Sequence, residues 1–142
     1  MEENFLNDKR PKTILVTGGA GFIGGELIRK LLKDTNSIIY NLDKIGYASD
    51  LEGINRFISQ FDIERNRHNL LKVDLLDKKK LYQAIFKSSP DYILHLAAES
   101  HVDRSINSPE SFLLNNIMGT FNLLEVALIY FQKLDQNKKK HF

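Results

Sequence analysis

Short apolar runs alternate with amphipathic stretches along the chain, and this alternation predicts strands that are each followed by a helix. The predicted strands are Lys12–Thr17, Ser37–Leu42, Leu70–Val73 and Tyr92–Leu96. Strands that alternate with helices are typical of parallel sheets with right-handed crossovers. We therefore expect a doubly wound α/β Rossmann sheet, represented by its N-terminal portion of about four strands in the order 3-2-1-4.

Helical periodicity and capping residues predict where the helices lie. Four helices are predicted. The first starts at Phe22, the second covers Leu51–Gln60, the third follows the cap Asp77 to about Lys87, and the fourth runs from Pro109 to about Phe131. Asp77 and Ser108 are expected N-caps, because their side chains accept hydrogen bonds from free first-turn amides. Pro109 suits the first helical position, where no amide donor is needed.

A glycine-rich loop lies between the first predicted strand and the first predicted helix. Gly18, Gly21 and Gly24 stand at every third position of this loop. The first glycine permits a tight turn, the second lets the backbone approach a pyrophosphate, and the third allows the helix to pack closely on the strand. The helix N-terminus offers free amides and a partial positive charge. This context favours a dinucleotide site over a simple glycine turn.

Two aspartates follow predicted strands at positions that suit an adenosine. Asp43 ends the second strand about 20 residues after the loop, where an acid accepts hydrogen bonds from the ribose diol. It also repels a 2′-phosphate and so favours NAD over NADP, although Lys44 directly after it weakens that preference. Asp74 follows the third strand, where it either meets the adenine amino group or serves as an ordinary loop aspartate.

Composition argues against several other functions. The chain has 142 residues, with 20 Lys and Arg against 18 Asp and Glu, a balance too even to attract nucleic acid or a membrane surface. It has no cysteine, and His95 and His101 lack the spacing of a zinc pair, so we expect no metal. No signal peptide and no apolar run near the roughly 20 residues of a membrane helix are recognised, which favours a cytoplasmic protein.

Three segments resemble the extended short-chain dehydrogenase/reductases: TGGAGFIG, residues 41–48, and residues 95–106. The last is the most specific, and together with Asn116–Thr120 it is similar to the dTDP-glucose 4,6-dehydratases. The resemblance runs from about Lys12 to the chain end. It implies NAD as cofactor and a nucleotide sugar, dTDP-glucose, as substrate. In that family the sugar is oxidised at C4, water is eliminated across C5 and C6, and the hydride returns to C6.

The resemblance also implies a set of site residues. The expected NAD contacts are Gly18, Gly21, Phe22, Ile23, Gly24, Asp43, Lys44, Ile45, Gly46, Asp74, Leu75, Leu96, Ala97, Ala98, Glu99 and Asn115. Ser100 is expected to touch the sugar, and Asn116 to support the site. The alternative for Ala97 and Ala98 is simple packing at a strand end. Without the resemblance, the polar residues Glu99, His101, Asp103 and Arg104 indicate a solvated loop. Three residues depart from the family pattern, since Asn115 and Gly46 replace threonines and Gly25 replaces a serine.

The segments that carry the family's catalysis are not found in this sequence. It contains no Thr-Asp-Glu, and its one Tyr-x-x-x-Lys, Tyr40 to Lys44, falls on a predicted strand. Residues four apart on a strand are separated by roughly 13 Å, whereas the motif needs neighbours on a helix. We therefore assign no catalytic residue. We expect a flexible lead at residues 1–10 and, at residues 11–142, a partial NAD-binding Rossmann domain that is inactive alone, without its fifth strand and substrate domain.

Two interpretations stay open beside this one. In the first, the chain is an NAD-binding module that acts alone or as one half of a split protein. In the second, it is part of a nucleotide-sugar 4-epimerase. The last predicted helix is apolar all round at Val126–Phe131, so we expect it to be covered. A second copy in a homodimer through residues 109–131, or a missing C-terminal half, would supply that cover.

Overall fold

The computed structural model describes residues 11–47 and 49–139, so the predicted lead at residues 1–10 lies outside it. The strands are β1 (Thr13–Thr17), β2 (Ile38–Asp43), β3 (His68–Lys72) and β4 (Tyr92–His95). The helices are α1 (Phe22–Asp34), α2 (Leu51–Gln60), α3 (Lys78–Ser88), α4 (Val102–Asn107), α5 (Pro109–Lys133) and α6 (Gln136–Lys139), with a 3-10 turn at Arg65–Arg67.

All paired strands are parallel, and within the described residues they form one sheet of order β3-β2-β1-β4. The predicted fold class and strand order are confirmed. Leu15 lies opposite Tyr40 of β2 and Ile93 of β4, which fixes the register at the centre of the sheet. Because the strands are parallel, their carboxyl ends all reach the same edge of the sheet.

Helices cover both faces of the sheet, and β1 contributes to both cores. Side chains alternate along a strand, so Leu15 faces one side while Ile14 and Val16 face the other. Leu15 packs in a cluster with buried residues of α3 and α5, among them Ile85 and Val126. Ile14 and Val16 pack in a second cluster with residues of α1 and α2. The central strand is therefore rigidly held, and the turn that follows it starts from a fixed position.

The predicted bounds of the third strand were wrong, and two short helices were not predicted. The third strand is His68–Lys72, so it begins two residues earlier and ends one residue earlier than predicted. The helices α4 and α6 were not predicted, because their six and four residues are too few to show a helical period.

The two predicted N-caps have different outcomes. Asp77 caps α3, since its Oδ1 accepts from the Lys80 amide at 3.0 Å, and this hydrogen bond lowers the pKa of the carboxyl. Ser108 occupies the cap position of α5 without a side-chain cap, and its carbonyl accepts from the Ser111 hydroxyl instead. Pro109 stands at the start of α5 as predicted.

The helix α5 has two features that the sequence pattern did not predict. Its residues Leu114–Met118 form a π-helical turn rather than a continuous α-helix. By length and composition it is apolar enough to cross a membrane, so the expectation of no such stretch was wrong. Core helices of soluble proteins pass the same test when they are mostly buried, but only 17% of the apolar 18-residue window of α5 is buried. Val126 and Tyr130 belong to its buried part and pack against the rest of the domain.

A row of large side chains on α5 lies exposed. Phe121, Leu124 and Leu128 are each more than half exposed, at 51%, 64% and 56%. The strand β4 also lies at the end of the sheet order. That this helix is covered by a second copy or by further chain stays a prediction.

Candidate cofactor-binding site

The carboxyl ends of the strands open into a cleft of about 690 Å³. Every residue predicted to contact cofactor or substrate lines this cleft, with the exception of Ile45. Five further lining residues were missed: Leu42, Tyr47, Ser49, Val73 and His101. Leu42 and Val73 directly precede Asp43 and Asp74, so the strand ends gave a signal for them. The sequence carries no comparable signal for Ser49.

The glycine loop forms one wall of the cleft, and Gly18 is constrained both by its backbone angle and by its neighbours. Gly18 has φ 70°, in the left-handed region that favours glycine, and its amide donates to the Leu42 carbonyl at 2.9 Å. A Cβ on Gly18 would lie 2.6 Å from the backbone N and Cα of Ala97. The loop therefore turns tightly and presses directly on the segment that follows β4.

The middle of the loop leaves room for a ligand. Gly21 has an extended backbone, and a Cβ there would meet only the Gly18 carbonyl oxygen, at 3.3 Å. Because Gly21 lines the cleft, a side chain at this position would occupy cleft space. As the N-cap of α1 it offers no capping side chain, and the first turn of α1 carries no acid. The arrangement fits a pyrophosphate, which needs close backbone approach and free amides.

Gly24 serves packing rather than ligand access. A Cβ on Gly24 would run into the backbone of Gly18 and Gly19. The start of α1 therefore lies directly against the loop that precedes it, as the spacing of the three glycines predicts.

Asp43 connects the glycine loop to the turn after β2. Its Oδ2 accepts from the Ala20 amide at 3.0 Å, and its Oδ1 accepts from the Ile45 amide at 2.8 Å. The residue is only 9% exposed and still lines the cleft. Each carboxylate oxygen can accept a second hydrogen bond, so the group can hold the loop and still receive a diol.

Ile45 adopts a left-handed backbone with φ 56°, which is strained for a β-branched residue. The hydrogen bond from its amide to Asp43 holds it there. Its backbone completes the turn after Asp43, and Ile45 does not line the cleft. That Ile45 contacts NAD stays a prediction.

The opposite wall is the segment Leu96–Glu99, and side chains hold both of its ends. At the start, the hydroxyl oxygen of Thr17 accepts from the amides of Leu96 and Ala97, each at 3.2 Å. At the end, the amide group of Asn116 accepts from the Glu99 N–H at 2.8 Å and donates to the Glu99 carbonyl at 3.0 Å. The π-helical turn of α5 carries Asn116, as is common for such turns at functional sites.

His95 connects this wall to α5, and its hydrogen bonds define one tautomer. The Thr120 hydroxyl donates to the Asn116 carbonyl at 2.7 Å, so its oxygen accepts from Nε2–H of His95 at 2.9 Å. Nδ1 then accepts from the Thr17 hydroxyl at 2.6 Å. Burial lowers the pKa of His95, and the neutral ring is the form that satisfies this network.

An ion pair joins the turn after β2 to the end of the opposite wall. The Lys44 ammonium lies 2.7 Å from Glu99 Oε1 and 3.2 Å from Asn115 Oδ1. The Asn115 amide also donates to the Ser111 carbonyl at 2.7 Å, which turns its oxygen toward Lys44. These three side chains also line a second cavity of about 310 Å³ beside the cleft.

Residues 11–47 and 49–139 contain no group of three or more His, Cys, Asp or Glu that could hold a metal.

Comparison with known proteins assigns the family. The model of the GDP-mannose 4,6 dehydratase family matches residues 15–142. The chain belongs to this family. A dTDP-glucose 4,6-dehydratase of Salmonella typhimurium is 45% identical over 130 residues, which cover 91% of this chain and 34% of that protein. A dTDP-glucose 4,6-dehydratase of Neisseria gonorrhoeae is 44% identical over 132 residues, which cover 92% of this chain and 36% of that protein. The resemblance stated from the residues alone is confirmed, and the chain spans about a third of the length of these relatives.

Solved structures share the fold of this domain. The UDP-glucose 4-epimerase of Thermus thermophilus, in complex with NAD, is 30% identical with a TM-score of 0.69. The match covers 82% of this chain and 34% of that one. The similarity extends over most of the described domain, so this chain shares the fold of that part of the epimerase.

Proposed function

We propose that this chain is the NAD-binding portion of a dTDP-glucose 4,6-dehydratase. The main support is the cleft at the carboxyl ends of the strands, where the open position at Gly21 meets the uncapped start of α1. The dTDP-glucose 4,6-dehydratases are also 41% to 45% identical to this chain, whereas the solved epimerase from Thermus thermophilus is 30% identical. A cytoplasmic location stays a prediction.

The residues of the cleft divide the binding of a dinucleotide between them. The first-turn amides of α1, at Phe22 and Ile23, bind the pyrophosphate, because they have no partner within the helix. The Asp43 carboxylate accepts from the adenosine ribose while it holds the loop through Ala20. Ala97 and Ala98 line the path on the other wall without filling it. NAD bound here would supply the hydride acceptor and donor that the dehydration requires.

The chemistry on the sugar needs groups beyond those in the cleft. We assign Ser100, which lines the cleft next to Glu99, a contact with the nucleotide sugar. We assign no catalytic residue, since Tyr40 lies within β2 and Lys44 follows it outside any helix. The 142-residue chain is therefore expected to bind NAD without converting dTDP-glucose to its 4-keto-6-deoxy product. Turnover by the purified chain with added NAD would contradict this.

Calorimetric titration of the full chain with NAD tests the binding. A Gly21→Val variant keeps a backbone that valine adopts readily, but its side chain enters the cleft. We expect its affinity for NAD to fall at least about tenfold, with an unchanged circular dichroism spectrum. Gly25→Ala is the matched control on the same helix, because Gly25 lies outside the cleft lining. A folded wild-type chain that gives no heat with NAD would refute the proposal.

A 4-epimerase origin is the second candidate, and the likeness to solved UDP-glucose 4-epimerases supports it. It predicts the same NAD site, so the titration alone does not separate the two. Mixing the chain with a separately produced remainder of the protein, and following the fate of dTDP-glucose, does. A 4-keto-6-deoxy product supports the dehydratase, and a 4-epimer supports the alternative. If the chain binds NAD but no second protein restores a reaction on dTDP-glucose, the result supports a stand-alone NAD-binding module.

A further inference from the structure

We propose that Glu99 sets the preference of this site for NAD over NADP by neutralising Lys44. The proposal rests on the function proposed above and concerns one property of the same cleft. Asp43 already disfavours a 2′-phosphate by its charge. The lysine directly after it is the residue that could reverse this preference, and Glu99 prevents that.

Lys44 stands where a cation would serve NADP. It lines the cleft immediately after the aspartate expected to receive the ribose diol. A basic side chain near this point accommodates a 2′-phosphate in dinucleotide-binding folds. An unengaged Lys44 would therefore counteract Asp43 and leave the site with a weak preference.

In the structure the Lys44 ammonium is already bound to the side chains of Glu99 and Asn115. It lies 2.7 Å from Glu99 and 3.2 Å from the Asn115 oxygen, so two of its three donors have protein acceptors. To reach a 2′-phosphate, Lys44 would have to abandon a charged partner and leave Glu99 without its counter-charge. That exchange is unfavourable next to the negative charge of Asp43.

The position of Glu99 makes this ion pair more durable than a typical surface pair. Its backbone N–H and C=O are both bonded to the Asn116 amide, at 2.8 and 3.0 Å. The side chains of Glu99 and Lys44 are 20% and 41% exposed, whereas those of Lys30 and Asp34 in a surface pair are 72% and 49% exposed. A carboxylate on a fixed backbone loses little freedom when it pairs, which is where exposed ion pairs lose most of their stabilisation.

The test is the affinity of the full chain for NADH and NADPH, measured by the fluorescence of the reduced nicotinamide. Glu99→Gln keeps the shape and one acceptor but removes the charge. We expect the ratio of the NADPH Kd to the NADH Kd to fall about 3- to 10-fold in this variant. The gain should shrink as salt is added, because it depends on a partly exposed charge. The double variant Lys44→Met with Glu99→Gln should lose the gain.

A matched control is available outside the cleft. Glu125 forms an ion pair with Lys78 at 2.6 Å, and the two side chains are 40% and 48% exposed. Glu125→Gln should leave the ratio unchanged. An unchanged ratio in Glu99→Gln, with normal NADH binding by the wild type, would overturn this inference and leave the proposed function intact. If the folded wild-type chain bound neither nucleotide, both proposals would fall.

Discussion

The two walls of the cleft face each other but are built by different means. The glycine loop is held mainly by backbone lying against backbone, as at Gly24 and the preceding Gly18, and in addition by the hydrogen bond from the Ala20 amide to Asp43. The segment Leu96–Glu99 is held by side chains that reach it from other elements, Thr17 at its start and Asn116 at its end. At Gly18 and Gly24 the first wall has no space for one added carbon. The second depends on polar groups that a substitution can remove one at a time.

The difference teaches how each wall should fail. Backbone contact has no flexible atom that can move aside, so a clash there displaces whole elements. Hydrogen bonds from side chains contribute individually modest amounts, and their loss loosens one segment while the fold persists. The four changes below test this contrast.

Gly18→Ala should have the largest effect, because Gly18 is where the two walls touch. The new Cβ would lie 2.6 Å from the Ala97 backbone, on a residue that also needs φ 70°. We expect the free energy of unfolding to fall by about 3 kcal/mol or more, with loss of NAD binding. Urea denaturation followed by circular dichroism measures the first and calorimetry the second. A variant as stable as the wild type would show that the walls can separate without cost.

Asn116→Ala should have an intermediate effect. It removes both hydrogen bonds that hold the backbone of Glu99. We expect a loss of about 1–3 kcal/mol in the free energy of unfolding, with the fold retained. Asn107→Ala is the comparison, since its side chain makes one exposed bond to the Asp103 carbonyl. Equal effects of the two variants would show that Asn116 does not anchor the wall.

Acid should destabilise the fold at two histidines, His95 beside the Leu96–Glu99 wall and His68 on β3. Burial lowers the pKa of His95 and of His68, whose Nε2 is buried and has no hydrogen-bond partner among the described residues. As the pH falls, these histidines are therefore protonated in the unfolded chain before they are protonated in the folded chain. The stabilisation is complete above the ordinary histidine pKa of about 6.5 and is lost as the pH falls toward the lower folded values.

Denaturation at about pH 8 and about pH 5.5 measures this loss. A His68→Leu variant removes one of the two contributions, so its stability should depend less steeply on pH than that of the wild type. Hydrogen exchange at the Leu96 and Ala97 amides reports the His95 side separately. Amides equally protected at both pH values would contradict a role for His95 in that wall.

Gly25→Ala should have the smallest effect and the opposite sign. A Cβ there would meet Arg29 and the Gly19 carbonyl at 3.6 and 3.7 Å, which are ordinary contacts. Alanine favours the helix, so we expect the free energy of unfolding to rise by about 0.5–1 kcal/mol. Thermal denaturation next to Gly18→Ala makes the contrast direct. A destabilised Gly25→Ala would mean that α1 packs more tightly than these distances indicate.

Local features of the site could be predicted from the sequence, and features made by distant residues could not. The glycine spacing and the strand end at Asp43 indicated one wall, because both can be recognised from residues adjacent in the chain. The hydrogen bond from Ala20 to Asp43 joins residues 23 positions apart and could not be recognised in that way. The engagement of Lys44 by Glu99 joins residues 55 positions apart. The contact of Tyr47 with His101, with ring centroids 5.3 Å apart, likewise joins two loops. The hydrophobic periodicity of a sequence does not indicate contacts between residues that lie so far apart in the chain.

Hydrophobic pattern and turn chemistry by themselves determined the four strands and the glycine loop, because burial and glycine geometry act over a few residues. The strand order followed from the doubly wound scheme that the alternation of strands and helices indicates. Only the tertiary structure decided that Ile45 lies outside the cleft, that α5 contains a π-helical turn, and that Asn116 holds Glu99. Those outcomes depend on which elements meet after folding, because a hydrogen bond or a clash exists only once both partners are in place.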